Sequence, residues 1–226
     1  MEVCFKIKEL LKENLSKILE YRKNPVKKTD GSYVSEGDLY TEMLIKNLLA
    51  DEYPDFKLVS EETPEINIEN IKQKEVLILD PIDGTENYIS GLKEWGVAVC
   101  HYKDGKHQES MLALPELNCY LSTGDKIKKY DSRICGISSS LTKSDLLNLE
   151  EGYEYRIIGC CVYNMYNVIT GSFYSFQNNK GAYIWDIIPG LNIAVENGLN
   201  VTVENEQYNG ELLEPNKKYR FKISQK

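Results

Sequence analysis

The chain has 226 residues, 42% of them hydrophobic, and carries 27 Lys plus Arg against 35 Asp plus Glu. The formal net charge of −8 argues against a nucleic-acid polymer as partner, because such partners are held by basic patches. Its apolar runs fall far short of the ~20 residues that span a bilayer, and the charged start Met1-Glu2-Val3-Cys4-Phe5-Lys6 has no signal-peptide core. No membrane association is expected, and a cytoplasmic location is. Six cysteines without a CxxC pair read as free thiols, and two histidines make a histidine-based zinc site a poor fit.

Val3, Ile7, Leu10, Leu11, Ile18 and Leu19 recur at helical spacing and predict a first helix over 2–21, ended by Asn24-Pro25. A second helix is predicted from Glu36 to Ala50, with Leu39, Met43, Leu48 and Leu49 inward. Ser35-Glu36-Gly37-Asp38 reads as its capping box, with Ser35 as N-cap. A strand at 56–59 leads into Ser60-Glu61-Glu62, and 64–74 reads as a polar loop. The apolar run Val76-Leu77-Ile78-Leu79 predicts a buried strand ending at Asp80. Further strands are predicted at 95–100, 110–114, 119–122, 134–138, 155–158, 172–176, 200–203 and 219–223, with helices at 160–170 and 185–197. Helices followed by mixed helices and strands, with no clear linker, indicate a layered α/β protein.

The chemistry concentrates in Asp80-Pro81-Ile82-Asp83-Gly84-Thr85-Glu86-Asn87. Two carboxylates on a tight turn can flank a divalent ion, and the Ile82 carbonyl is a third oxygen donor; such a set suits Mg²⁺ or Mn²⁺. Gly84 lets the backbone approach a ligand, and the Gly84 and Thr85 amides can donate to phosphate oxygens. The same stretch also reads as an aspartate-capped turn leaving a strand. Glu61 alone is an ordinary acidic loop residue. If strands 56–59 and 76–79 lie side by side, however, it reaches the same sheet end as Asp80, where it can bind a second ion or orient a water. Asp186 is either a favourable charge at a helix start or one more carboxylate completing a two-ion cage.

Four blocks carry a resemblance. They are Lys28, Asp30-Gly31-Ser32, Val34-Ser35 and Asp38; Glu61-Glu62; Asp80 through Tyr88; and Trp185-Asp186-Ile187-Ile188-Pro189-Gly190. In order and rough spacing the chain resembles the inositol monophosphatase family, within the lithium-sensitive, Mg²⁺-dependent phosphatase superfamily. The resemblance implies an α-β-α-β-α sandwich of the inositol monophosphatase / fructose-1,6-bisphosphatase type. Residues 1–226 would form one phosphatase domain, shortened between Leu114 and Ile134. It implies two or more Mg²⁺ ions, the first held by Glu61, Asp80 and the Ile82 carbonyl, the second by Asp80, Asp83 and Asp186. Glu61 and Thr85, with Asp83, would serve catalysis by orienting and activating a water, and the Gly84 and Thr85 amides would cradle the phosphate. Asp38 falls at a family position near the metal cluster, and its capping role is the alternative.

The chain departs from the inositol-specific pattern at Gly159-Cys160-Cys161-Val162. It departs again at Asn179, which stands where a ring-binding glutamate is expected, next to Lys180. Asn179 remains the candidate for a substrate hydroxyl. The implied function is hydrolysis of a small polyol or sugar phosphate, with a small phosphorylated metabolite as partner and a homodimer possible by analogy. The alternatives are a 3'-phosphoadenosine 5'-phosphate phosphatase and a non-catalytic binding or regulatory homologue. Asn87, where the nucleotidase branch often has an acidic residue, favours the first reading over the second.

Overall fold

Alternation along the central strands builds the core of the protein, seen in a computed structural model that describes residues 2–23, 25–28, 33–62 and 74–226. Strands β3 (Lys57–Ser60), β4 (Glu75–Asp83), β5 (Gly96–Lys103), β6 (Lys106–Leu114) and β7 (Cys119–Ser122) form a five-stranded sheet in that order. Val76, Ile78, Ala98 and Cys100 join one buried cluster, while Leu77, Leu79, Val97 and Val99 join another. Successive side chains point to opposite faces, so a strand buried on both sides reads as an unbroken apolar run.

On one face lie α1 (Val3–Glu20) and α2 (Glu36–Glu52), with the short hairpin of β1 (Val26–Lys27) and β2 (Tyr33–Val34) joined before α2. On the other face α5 (Cys161–Ile169) and α6 (Ile184–Glu196) separate this sheet from a second one. That second sheet has six strands, ordered β12-β11-β13-β10-β8-β9. They are β8 (Ile134–Ile137), β9 (Glu154–Ile157), β10 (Ser175–Ala182), β11 (Asn200–Val203), β12 (Glu206–Gln207) and β13 (Tyr219–Ser224). The one-turn helix α4 (Lys143–Leu147) reaches its outer side, where Asp145 meets Asn179. The layer order is the α-β-α-β-α sandwich that the resemblance implies, with a thin last layer.

The capping box of α2 forms as expected, with Ser35 Oγ accepting from the Gly37 and Asp38 amides and the Ser35 amide donating to Asp38 Oδ2 at 2.8 Å. The inward face of α2 differs from expectation. Leu39 and Met43 are exposed, whereas Asp38, Thr41, Glu42, Ile45 and Leu49 are buried. The helix turns a partly polar face to the sheet because its first turn lines the acidic sheet end described below. Strand β10 also runs past its expected end: Gln177, Asn178, Asn179 and Lys180 belong to it, with a register irregularity between Asn178 and Ala182. Asn179 and Lys180 are exposed there, whereas Asn178 is buried and its Oδ1 accepts the Lys180 and Gly181 amides. Asp30-Gly31-Ser32, Asn24 and most of the 64–74 loop lie outside the described residues.

Tyr88, on the short helix α3 (Thr85–Ile89), ties the helical layer to the motif turn. Its hydroxyl donates to the Ile18 carbonyl, its ring meets Trp95 edge-on at 5.1 Å, and it fills the space beside Gly37. A Cβ at Gly37 would stand 2.3 Å from the Tyr88 hydroxyl and 2.7 Å from its ring carbon. Alanine normally stabilises an exposed helix interior over glycine by about 1 kcal/mol. Here Gly37→Ala is expected to destabilise, by roughly 1–3 kcal/mol, because a fully buried ring must move. Urea unfolding checks the sign, and a variant as stable as the parent contradicts the close packing.

Candidate active site

Parallel pairing places Ser60 opposite Leu79, and the Glu61 amide donates to the Leu79 carbonyl at 3.3 Å. Glu61 therefore leaves β3 beside Asp80, as the side-by-side arrangement requires. Across β4 and β5, Asp80 pairs with Ala98 and Asp83 with Gly96, so β4 holds one extra residue between them. Residues three apart on a regular strand face opposite sides. The bulge reverses this and turns Asp80 and Asp83 to the same side, toward α5 and α6, while Ile82 packs in the opposite core cluster. Pro81 has no amide to lose at the irregular step, and the Ile82 amide donates to Asp80 Oδ1 at 3.0 Å.

Asp186 arrives from the first turn of α6, its Oδ2 accepting the Tyr183 amide at 2.9 Å. Carboxylate oxygens of Glu61, Asp80 and Asp186 all lie within 4.8 Å of one another. Burial raises the Asp80 and Asp186 pKa values well above the usual carboxylate range, and the neighbouring charges of Glu61 and Asp83 push the same way. Asp83 is pushed up to about 6 by burial, against hydrogen bonds from Cys160 and the amides of Cys161 and Val162 that favour its charge. Carboxylates gathered this closely in a buried site require protons or cations among them at neutral pH. An all-oxygen donor set of this kind fits a hard divalent cation.

The Thr85 hydroxyl lies 3.1 Å from the Ile82 carbonyl and 3.2 Å from Asp38 Oδ1, both acceptors for its proton. Asp38 caps α2 through Oδ2 and meets the Thr85 hydroxyl through Oδ1. Burial lifts its pKa to about 6. Gly84 has φ 79°, a left-handed conformation suited to glycine, and a Cβ there would stand 2.9 Å from the Cys160 Cβ. Lys28 donates to Glu61 at 2.8 Å and to Glu62 at 2.7 Å. Burial works against its ammonium, but the two glutamates prevail and raise its pKa.

Asn179 is not drawn into this group. It is exposed on β10, and its amide donates to Asp145 Oδ1 at 3.1 Å. Lys180 is exposed on the same strand. Asn87 stitches the backbone, donating to the Glu94 and Ile158 carbonyls at 2.7 Å each. An ionised carboxylate there would have no proton to donate. Cys160, which the sequence marks only as a departure from the inositol-specific pattern, lies 2.9 Å from Asp83 Oδ2; the signal for this contact was its place before α5, where a Ser or Thr N-cap is usual.

The inositol monophosphatase family profile matches residues 1–129 of the 226. The chain belongs to the inositol monophosphatase family. Among curated relatives, a fructose-1,6-bisphosphatase/inositol-1-monophosphatase of Aquifex aeolicus is 33% identical over 91 residues, 40% of this chain and 33% of that protein. A 3'(2'),5'-bisphosphate nucleotidase of Haemophilus influenzae is 29% identical over 92 residues, 40% of this chain and 34% of that protein. The chain thus spans about one third of the length of these two relatives. A calcium-bound inositol monophosphatase family protein from Staphylococcus aureus superposes with a TM-score of 0.82 at 20% identity, covering 100% of this chain and 90% of that one. At that identity the likeness is one of fold, and it extends across the C-terminal sheet. Among the described residues, no helix is long and apolar enough to cross a membrane.

Proposed function

We propose that the protein is a Mg²⁺-dependent phosphomonoesterase acting on a small polyol or sugar phosphate through an activated water. The observation that carries this reading is the convergence of Glu61, Asp80 and Asp186, from three separate elements, beside Asp83 and Thr85. Glu61, Asp80 and the Ile82 carbonyl would hold one ion, and Asp80, Asp83 and Asp186 a second. When bound, such ions neutralise phosphate charge, lower the pKa of a water and stabilise the leaving oxygen. Mn²⁺ has similar ligand preferences.

The chain's own residues supply position and proton handling. Thr85 is oriented by Asp38 and the Ile82 carbonyl, so its oxygen can accept a hydrogen bond from the attacking water. Glu61 stands where it can orient that water, and its pairing with Lys28 fixes its carboxylate. The Gly84 and Thr85 amides would hold phosphate oxygens, and no covalent enzyme intermediate is required. Asn179 would reach a substrate hydroxyl only if its bond to Asp145 opens.

The similarity to a bisphosphate nucleotidase supports a second reading, with a 3'-phosphorylated nucleotide as substrate. Asn87 does not discriminate between them, because it is committed to backbone carbonyls. The test is phosphate release across inositol, sugar, polyol, amino-alcohol and nucleotide phosphates, with and without Mg²⁺. Turnover of polyol or sugar phosphates only with Mg²⁺ is expected. Turnover of the nucleotide alone supports the second reading, and no turnover of any phosphate overturns both in favour of a non-catalytic protein.

A further inference from the structure

Asp83 is held from behind by the start of helix α5, and this grip centres on one thiol. Cys160 Sγ lies 2.9 Å from Asp83 Oδ2, and the Val162 amide donates to the same oxygen at 2.5 Å. The Tyr163 amide donates to Cys160 Sγ at 3.3 Å. Cys160 is thus the N-cap of α5, in the position where Ser, Thr, Asp or Asn usually accepts the third amide of the helix. A single S–H proton remains for donation, and Asp83 Oδ2 is the shorter of its two contacts, the Asp83 carbonyl lying at 3.6 Å. Cys160 is 2% exposed, so water does not compete for that proton. The neighbour Gly84 has no Cβ, which lets the Cys160 side chain approach the turn.

We propose that Cys160 is a positioning residue for the metal centre: its thiol, accepting from the helix and donating to Asp83 Oδ2, fixes that carboxylate so that its other oxygen serves the cation. The inference rests on the reading of Asp83 as a metal ligand. Partners that orient ligating carboxylates commonly change metal affinity by about 10–100-fold when removed. A thiol that only capped α5 would change helix stability and leave metal affinity alone. The side chain needs a donor and an acceptor of small size, which serine supplies and alanine does not.

The test is calorimetric titration of Mn²⁺ into the full chain, its Cys160→Ala variant and its Cys160→Ser variant, with melting temperatures taken in a chelator. Cys160→Ala is expected to weaken Mn²⁺ binding about tenfold, and Cys160→Ser to restore it to within about twofold of the parent. Unchanged Mn²⁺ affinity in Cys160→Ala, whatever its melting temperature, overturns the proposal and leaves a capping role alone. Absence of Mn²⁺ binding in the parent overturns the metal reading of Asp83 and this inference with it. Infrared spectroscopy of the parent covers the case in which Cys160→Ala fails to fold. The S–H band lost in Cys160→Ser is expected to shift when Mn²⁺ is added, and a band that Mn²⁺ leaves in place contradicts the proposal.

Discussion

Asp80→Asn is expected to lower Mg²⁺-dependent kcat/KM by about a thousandfold or more, which is roughly 4 kcal/mol of transition-state stabilisation. Asp80 is 1% exposed and shares its site with Glu61 and Asp186, so it would touch both ions in the proposed arrangement. The backbone has little cause to change. Asparagine retains a side-chain oxygen for the Ile82 amide, and that bond holds the turn. The same substitution removes one of several mutually repelling buried carboxylates. The melting temperature in a chelator is therefore expected to rise while activity is lost. Steady-state rates and thermal unfolding on one preparation check both signs. Parent-like turnover contradicts the assignment, and a lower chelator melting temperature contradicts the electrostatic account of the cluster.

Stability in a chelator is expected to fall as pH rises from about 5 to about 7, and added Mg²⁺ is expected to cancel that fall. Burial lifts Asp38 and Asp83 to about 6 and Glu62 to about 7. In the unfolded chain these groups titrate near 4. Across the interval these three carboxyl groups hold more protons in the folded protein than in the unfolded one, and together they outweigh His107, whose pKa burial lowers and which acts the other way, so each step up in pH favours unfolding. The slope is about 1.4 kcal/mol per pH unit for every proton by which the two states differ. Lys28 has its pKa raised, from a value already far above this window, and does not reverse the sign. A divalent ion held at the cluster would provide the positive charge that the protons otherwise supply, and a ligand that binds the folded state stabilises it. Melting curves at several pH values, with chelator or with Mg²⁺, test this. Chelator stability that rises over the interval contradicts it.

The motif from Asp80 to Thr85 was legible in the sequence because its groups are neighbours in the chain, on one strand end. Glu61 and Asp186 each read as ordinary acidic residues when taken alone, and only the family resemblance grouped them with Asp80. Only the pairing of β3 with β4 and the packing of α6 on the sheet bring them together, and no local pattern encodes that. The bulge between Asp80 and Asp83 was also invisible, although it is what turns both carboxylates to one side. Along α2 the apolar spacing pointed to Leu39 and Met43, but the helix buries Asp38 and Thr41 instead. A helix that lines a polar site cannot keep a wholly apolar inner stripe, so periodicity misleads where function is densest. The hairpin of β1 and β2 and the helices α3 and α4 are too short to leave a periodic signal. Cys160 stands in the sequence only as a departure from the inositol-specific pattern, whereas its bond to Asp83 depends on the approach of α5 to the end of β4.

A crystal soaked with Mn²⁺ and inorganic phosphate, measured for Mn²⁺ anomalous scattering, tests the metal centre most directly. An anomalous peak bound by Glu61, Asp80 and Asp186 is expected, with a further ion at Asp83 and phosphate against the Gly84 and Thr85 amides. Mn²⁺ absent from this carboxylate cluster, or phosphate bound elsewhere, would contradict this arrangement.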